Sequence, residues 1–369
     1  MKKSTKTAEL PALYALVHSG LEEVASDEIT LDFGGAVKKA DKSIVVFRVP
    51  EIDRSLFNLR TTEDIYLFAW GTGELSFRAA DLDSIRKWTQ RDVEWQKLLQ
   101  IHHSMTPKPK GKPSFRLVVQ MTGEHGYRRI DARKAFWQGL QQHIPTSWRE
   151  ADENASIEFW LTIHGDTAVA GIRLSDRTMR HRTYKFEHFA ASLRPTVAAA
   201  IARLANFKPK QTIVDPFCGA GTILAESWLL IKRLAGGRLD EWTPTLLGGD
   251  LDAHHLKAAQ TNLRELGPFE LKKWDARKLP IGDASVDRVV TNPPFGKQLG
   301  TPEEMLPLYH KSIGEMHRVL KPGGIAILLV SDVAAMKDAV RMVPWNQLHF
   351  VPIRILGLPA VILGYQKSR

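Results

Sequence analysis

The run Thr212-Ile213-Val214-Asp215-Pro216-Phe217-Cys218-Gly219-Ala220-Gly221-Thr222-Ile223-Leu224-Ala225-Glu226 passes from an apolar strand through a glycine turn into a helix. From there outward, short apolar runs alternate with helical spacing. Strands are expected at 212–215, 246–250, 270–275, 286–292 and 324–331, and helices at 222–235, 253–266 and 306–320. Such alternation is the signature of an α/β fold built on a mostly parallel, doubly wound sheet. Two more strands, 348–356 and 360–366, surround Gly357-Leu358-Pro359 and suit an antiparallel hairpin. Ligands of these sheets sit at the carboxyl ends of the strands.

A second stretch, Thr291-Asn292-Pro293-Pro294-Phe295-Gly296, follows the apolar run 286–290. Two successive prolines give up two backbone donors and fix two φ angles, so the chain leaves the strand along one stiff path. The carbonyls of Asn292 and Pro293 then face a ligand instead of a ladder. An exocyclic amino group fits them: its two N–H bonds reach the Asn292 side-chain carbonyl and the Pro293 backbone carbonyl, while Phe295 stacks on the ring. The plainer alternative is a proline-rich loop with one buried phenylalanine.

In this order and at this spacing, the two stretches resemble the class I amino-methyltransferases that use S-adenosylmethionine (SAM), whose C-terminal sheet is Rossmann-like. The resemblance implies that Asp215, Cys218, Gly219, Gly221 and Thr222 form the turn against the methionine part of SAM. It likewise implies that Asn292, Pro293 and Phe295 hold the amino group, with Asn292 also bordering the cofactor. Asp250, closing the strand 246–250, matches the acceptor for both ribose hydroxyls. Asp275 matches the acceptor for adenine N6, with Ala276 as a backbone donor; the alternative for Asp275 is a strand-end cap. A carboxylate placed like Asp250 also suits a nicotinamide dinucleotide. The turn after Cys218 reads G-A-G-T, however, and lacks the third glycine of G-x-G-x-x-G.

The N-terminal half reads as smaller α+β units. A strand at 13–17, a helix at 21–29 and a strand at 44–49 come first; a helix start with Thr61 or Thr62 as cap then leads into a strand at 65–70. A helix over 81–101, a basic loop over 105–113, a strand at 114–121, a helix over 131–143 and strands at 157–164 and 167–174 complete the half. The phrase Tyr14-Ala15-Leu16-Val17-His18-Ser19-Gly20-Leu21-Glu22-Glu23-Val24 and the hairpin around Gly165-Asp166 resemble RNA methyltransferases in which a ferredoxin-like module and a THUMP domain precede the catalytic domain. The expected domains are a ferredoxin-like module at 1–54, a THUMP RNA-binding domain at 55–175, a basic linker at 176–190 and the methyltransferase at 191–369. Arg173, Arg177, Arg180, Arg182 and Lys185 around that linker read as a phosphate track or as a solvated connector. An alanine-rich helix over 190–204 follows, with Pro195 in its first turn.

The chain has 369 residues, with 43% hydrophobic and 25% charged, as in ordinary globular proteins. Its formal charge of +10 favours a polyanionic partner through phosphate neutralisation. A single cysteine rules out an internal disulfide, and no Cys/His cluster has zinc spacing, so a metal-free site in a reducing cytoplasm is expected. No secretory signal and no membrane span is expected, and a monomer is. Asn-Pro-Pro-aromatic loops serve adenine N6, cytosine N4, guanine N2 and protein glutamine, so the motif itself leaves the owner of the amino group open. The resemblance implies transfer to guanine N2 in structured RNA, foremost position 6 of a tRNA acceptor stem. An rRNA guanine N2 or position 10 of tRNA are alternatives, and DNA adenine N6 or protein glutamine more remote ones.

Overall fold

The computed structural model describes residues 10–91, 93–106, 111–175, 179, 181–189, 192–294, 302–355 and 357–369. The chain divides into two compact units, Met1–Val17 with Ala25–Met179, and His18–Val24 with Arg180–Arg369.

The first unit carries β1 (Leu13–Val17), α1 (Glu22–Phe33), β2 (Ala36–Asp41), β3 (Ile44–Arg48), β4 (Thr62–Thr72), α2 (Ala80–Arg91), α3 (Trp95–Met105), β5 (Ser114–Thr122), α4 (Arg129–Leu140), β6 (Arg149–Glu150), β7 (Ile157–His164) and β8 (Thr167–Arg173). Its strands form one eight-stranded sheet in the order β2-β3-β1-β4-β8-β7-β5-β6. This sheet runs unbroken across the boundary expected at 54/55. β4 pairs with β1 on one side and β8 on the other, and one apolar core reaches from Leu13 through Phe47, Leu67 and Phe136 to Met179.

Two local expectations fail here for identifiable reasons. Thr61 does not cap a helix, because its amide and hydroxyl both donate to the buried carboxylate of Glu28, at 2.8 and 2.6 Å. A short 3₁₀ turn, Arg54–Asn58, is capped instead by Asp53. The helix expected over 81–101 is two helices. The Trp95 indole takes the Thr89 carbonyl at 2.8 Å, the acceptor that a continuing helix would give to the amide four residues on.

The second unit carries α5 (Pro195–Leu204), β9 (Thr212–Asp215), α6 (Thr222–Ala235), α7 (Leu239–Trp242), β10 (Thr245–Asp250), α8 (Ala253–Leu263), β11 (Glu270–Lys273), β12 (Val286–Thr291), α9 (Pro302–Val319), β13 (Leu320–Val330), α10 (Val333–Val340), β14 (Trp345–Ile355) and β15 (Leu358–Lys367). The seven-stranded sheet has the order β11-β10-β9-β12-β13-β15-β14. The first five strands in that order are parallel neighbours, and β15 joins antiparallel. Successive residues of the central strands enter opposite cores: Ile213 and Val290 face one cluster, Val214 and Val289 the other. The sheet is therefore covered on both faces, as near-continuous apolar strands require. Chain order reverses between β9 and β12, and at such a switch point the loops diverge and leave a crevice.

Candidate active site

β9 and β12 end side by side at that switch point, and a direct bond joins their last residues. The Thr291 hydroxyl donates to Asp215 Oδ1 at 2.6 Å, and the Phe217 amide reaches the same oxygen at 3.2 Å. Both side chains are buried. Burial drives the Asp215 carboxyl up to about 7, and the charge of Asp250 adds to the rise while the bonds from Thr291 and Phe217 oppose it. Asp215 thus fastens the glycine turn and the proline loop to each other.

The glycine turn needs its glycines. Gly219 has φ +50° and Gly221 φ +78°, both in the left-handed region. A Cβ on Gly219 would meet nothing within 4 Å, whereas one on Gly221 would lie 2.9 Å from Leu263 Cδ1. The bare backbone at Gly219 therefore faces open space, and Gly221 is where the turn packs on α8. Thr222 is buried at the start of α6. Cys218 is buried with its amide on the Gly249 carbonyl, at 2.9 Å, and burial pushes its thiol well above the usual range. Asn262 braces the turn from α8. Its side-chain amide donates to the carbonyls of Ala220 and Glu187, and its Oδ1 accepts from the Glu187 amide at 2.8 Å.

Asp250, at the end of β10, accepts from the Gly219 amide at Oδ2 and from the Asp252 amide at Oδ1, each at 3.0 Å. His255 Nδ1 stands 3.3 Å from Oδ1, and the ring of Phe189 lies between 4.7 and 5.3 Å from those of His255 and His254. Two neutral donors fix the carboxylate, and lone pairs are left for a diol. Trp274 fills the floor next to it: its indole donates to the Pro216 carbonyl at 3.1 Å, and a Cβ on Gly249 would strike the ring. Ala276 is buried. Asp275 is gripped by Arg277, whose Nε and Nη2 donate to the carboxylate at 3.0 and 2.7 Å. Those bonds hold its carboxyl below the usual range. The adenine contact expected of Asp275 has to use the lone pairs that Arg277 leaves.

At the proline loop, Asn292 Oδ1 is shielded from solvent and has no hydrogen-bond partner among the described residues. Pro293 is buried, and the Pro294 carbonyl accepts from the Tyr309 hydroxyl at 2.8 Å. Phe295 lies outside the described residues. An orphaned buried carbonyl is rare in a folded protein. Here it stands at the place where an amino group was expected.

The basic connector is corrected. Arg173 is buried in β8, bonded to Asp64 and Glu158. Arg182 donates to the fully buried Glu226 at 3.1 Å, beside the Tyr184 hydroxyl at 2.7 Å. Lys185 gives its ammonium to the Leu193 carbonyl at 2.6 Å, and burial lowers it to about 8. Arg173 and Arg182 are spent inside the protein, because each faces a buried acid that needs a partner, and the half-buried Lys185 ammonium is engaged by a backbone carbonyl. Arg177 and Arg180 lie outside the described residues. Sequence reasoning also passed over Tyr309, Asn262, Trp274 and His255 as site residues. Asn262, an amide on the apolar face of an expected helix, is the one that left a signal. Among the described residues no group of three His, Cys, Asp or Glu could hold a metal ion, and no helix is long and apolar enough to cross a membrane.

Residues 182–358 match the family model of the RMKL-like methyltransferase domain. The tRNA (guanine(6)-N(2))-methyltransferase THUMP3 of Mus musculus is 30% identical over 268 residues, 67% of this chain and 50% of that protein. The chain thus spans about half the length of that relative. The tRNA (guanine(6)-N2)-methyltransferase of Thermus thermophilus is 27% identical over 89% of this chain and 91% of its own length. Among solved structures, TrmN from Thermus thermophilus superposes with a TM-score of 0.75 at 24% identity, covering 96% of this chain and 99% of that one. At that identity the likeness speaks for the fold: a Rossmann-like sheet behind an N-terminal α/β module.

Proposed function

We propose, from the premise that this chain matches at family level the THUMP-domain, class I SAM-dependent RNA guanine-N2 methyltransferases, that it methylates the exocyclic N2 of a guanosine in structured RNA, most specifically position 6 in the acceptor stem of tRNA. The observation that carries the chemistry is Asn292 Oδ1 at the switch point, shielded from solvent and without a hydrogen-bond partner among the described residues. The position within tRNA is supported by relatives whose names carry it, one of which matches nearly end to end.

The residues present fit SAM. A Cβ on Gly219 would meet nothing within 4 Å, Asp250 is oriented for a ribose diol, and Ala276 lies just past the end of β11, the strand beside β10. SAM, when bound, supplies an electrophilic methyl on a sulfonium. The chain's part is to place and polarise the nucleophile. A guanine amino nitrogen attacks poorly, because its lone pair is delocalised into the ring. Asn292 Oδ1 and the Pro293 carbonyl accept its two hydrogens, which favours pyramidalisation and offsets the positive charge growing on nitrogen. The nitrogen would take the methyl as it left the sulfonium sulfur, and the methylated amine would then shed one proton to solvent. No general base is needed before attack.

The proposal sets the enzyme in a reducing cytoplasm as a monomer, in keeping with one buried free cysteine. Mass spectrometry of nucleosides from tRNA, rRNA, DNA and protein, each incubated with enzyme and labelled SAM, tests it. N2-methylguanosine in tRNA, mapped to position 6, is expected. Label in rRNA alone, in DNA adenine or in glutamine would overturn the assignment.

A further inference from the structure

We infer that Thr291 and Tyr309 are positioning residues of the target loop, two buried hydroxyls that tether the chain on either side of Asn292-Pro293 and so hold the Asn292 carboxamide where it meets the amino group. The inference rests on the methyl transfer proposed above and names residues that transfer requires beyond the loop itself.

The geometry is a bracket. On one side, the last residue of β12 donates to Asp215 Oδ1 at 2.6 Å; on the other, Tyr309 of α9 donates to the Pro294 carbonyl at 2.8 Å. Thr291, Asp215 and Tyr309 are each at most 1% exposed; the first bond is fully buried and the second, to the half-buried Pro294, partly so. Burial raises the Tyr309 phenol to about 12, and it remains a donor across the working pH range. Prolines at 293 and 294 fix their own φ and hold ψ of Asn292 and Pro293 in the extended range, but leave ψ of Pro294 and the placement of the loop over the sheet to be set by something else. The two tethers set them. Because the oxygen that accepts from Thr291 also accepts from the Phe217 amide, the first tether fixes the loop to the glycine turn as well. That spacing is the one an in-line transfer must hold, and displacement by about 1 Å can cost about 10²-fold in rate.

The rival reading is that each hydroxyl merely finds a partner, as buried hydroxyls do. Rates and affinities separate the two. Thr291→Val and Tyr309→Phe remove one oxygen each and keep the shape, and Thr291→Ser restores the donor. Single-turnover methylation of tRNA at saturating SAM is measured alongside calorimetric SAM affinity, tRNA affinity and melting temperature. The expected result is a loss of about tenfold in rate for each of Val and Phe and about 10²-fold for the pair. Affinities for SAM and tRNA stay within about twofold and Thr291→Ser within about threefold of wild type, since binding is spread over many contacts elsewhere. Wild-type rates for both the Val and Phe variants overturn the inference, as does an effect confined to SAM or tRNA affinity with the saturated rate unchanged. A wild-type protein that methylates no guanine N2 overturns the function reading itself, and that failure shows in the unmutated arm.

Discussion

Asn292→Ala makes opposite demands on stability and on rate. In the free protein Oδ1 is shielded and has no partner among the described residues, and an unmet buried carbonyl costs about 1–3 kcal/mol. Alanine removes that penalty and leaves a void of carboxamide size, roughly 40 Å³, worth about 1 kcal/mol at about 24 cal/mol per Å³. The two terms nearly cancel or leave a net gain of up to about 2 kcal/mol. A domain of this size melts about 2–4 °C higher for each kcal/mol gained. The second unit is therefore expected to melt at or above the wild-type temperature. Catalysis moves the other way. If Oδ1 accepts from the amine mainly as the nitrogen becomes tetrahedral, its loss falls on the chemical step, by roughly 10²–10³-fold. Asn292→Asp keeps an acceptor and is expected to transfer faster than Ala. Scanning calorimetry and single-turnover transfer at saturating SAM and tRNA read both arms. A variant that melts several degrees lower while transferring at the wild-type rate would show that the carbonyl holds the fold together and takes no part in the reaction.

Asp250→Ala is expected to weaken SAM binding by about 2–4 kcal/mol, from two charge-assisted bonds and the ribose hydroxyls left unpaired; unchanged calorimetric affinity removes Asp250 from the cofactor site. His102, buried beside the like charge of His103, is lowered to about 4 chiefly by burial. It stays neutral in the folded protein while the unfolded chain protonates below the ordinary value near 6.5, so its contribution to stability falls as pH drops through that window. The loss is about 2 kcal/mol at pH 5, from about 1.5 units at 1.36 kcal/mol each, and His102→Gln should flatten the denaturant-measured stability profile between pH 7 and 5. Arg182→Met takes the guanidinium from the buried Glu226, leaving it the Tyr184 hydroxyl, and should destabilise the second unit by about 3–5 kcal/mol without changing the salt dependence of tRNA binding. Arg177→Ala with Arg180→Ala should flatten that dependence by up to about 0.9 log units per lost phosphate contact; an unmoved slope of log K against log salt would make this pair part of the connector only.

The elements legible in the sequence were those in which local pattern and packing agree. Thr212–Asp215 and Thr222–Ala235 fall where the apolar run and the glycine turn put them, because strand, left-handed turn and helix each have their own residue chemistry. The helix Val333–Val340 was missed although Asp332 caps it, with Oδ1 accepting from the Ala335 amide at 2.9 Å; eight residues are too few for a period to show. Within the site, both loops were legible and the bond between them was not. Thr291 and Asp215 are 76 positions apart, and only strand order makes them neighbours. Tyr309 gave no signal at all, since an aromatic at helical spacing reads as core until the fold shows what its hydroxyl touches.

The connector shows where charge counting stops being informative. Arg173 and Arg182 were read from their neighbours in sequence, yet what fixes each is an acid far along the chain, Asp64 with Glu158 for one and Glu226 for the other. Glu226 did leave a trace: it stands on α6 between Ala225 and Ser227, both buried, and a lone carboxylate on a buried face must meet a cation or a donor. Internal pairing does not weaken the case for a polyanionic partner. Arg182 with Glu226 removes one charge of each sign, and Arg173 is shared by two acids, so the net +10 is not drawn down by burying these arginines. Long-range attraction depends on that net charge and its distribution, while register on the RNA depends on which cations remain free to touch phosphate. The charge therefore keeps its meaning for the partner even though Arg173, Arg182 and Lys185 lose theirs as contacts, and the search for the phosphate track moves to cations that no buried acceptor has claimed.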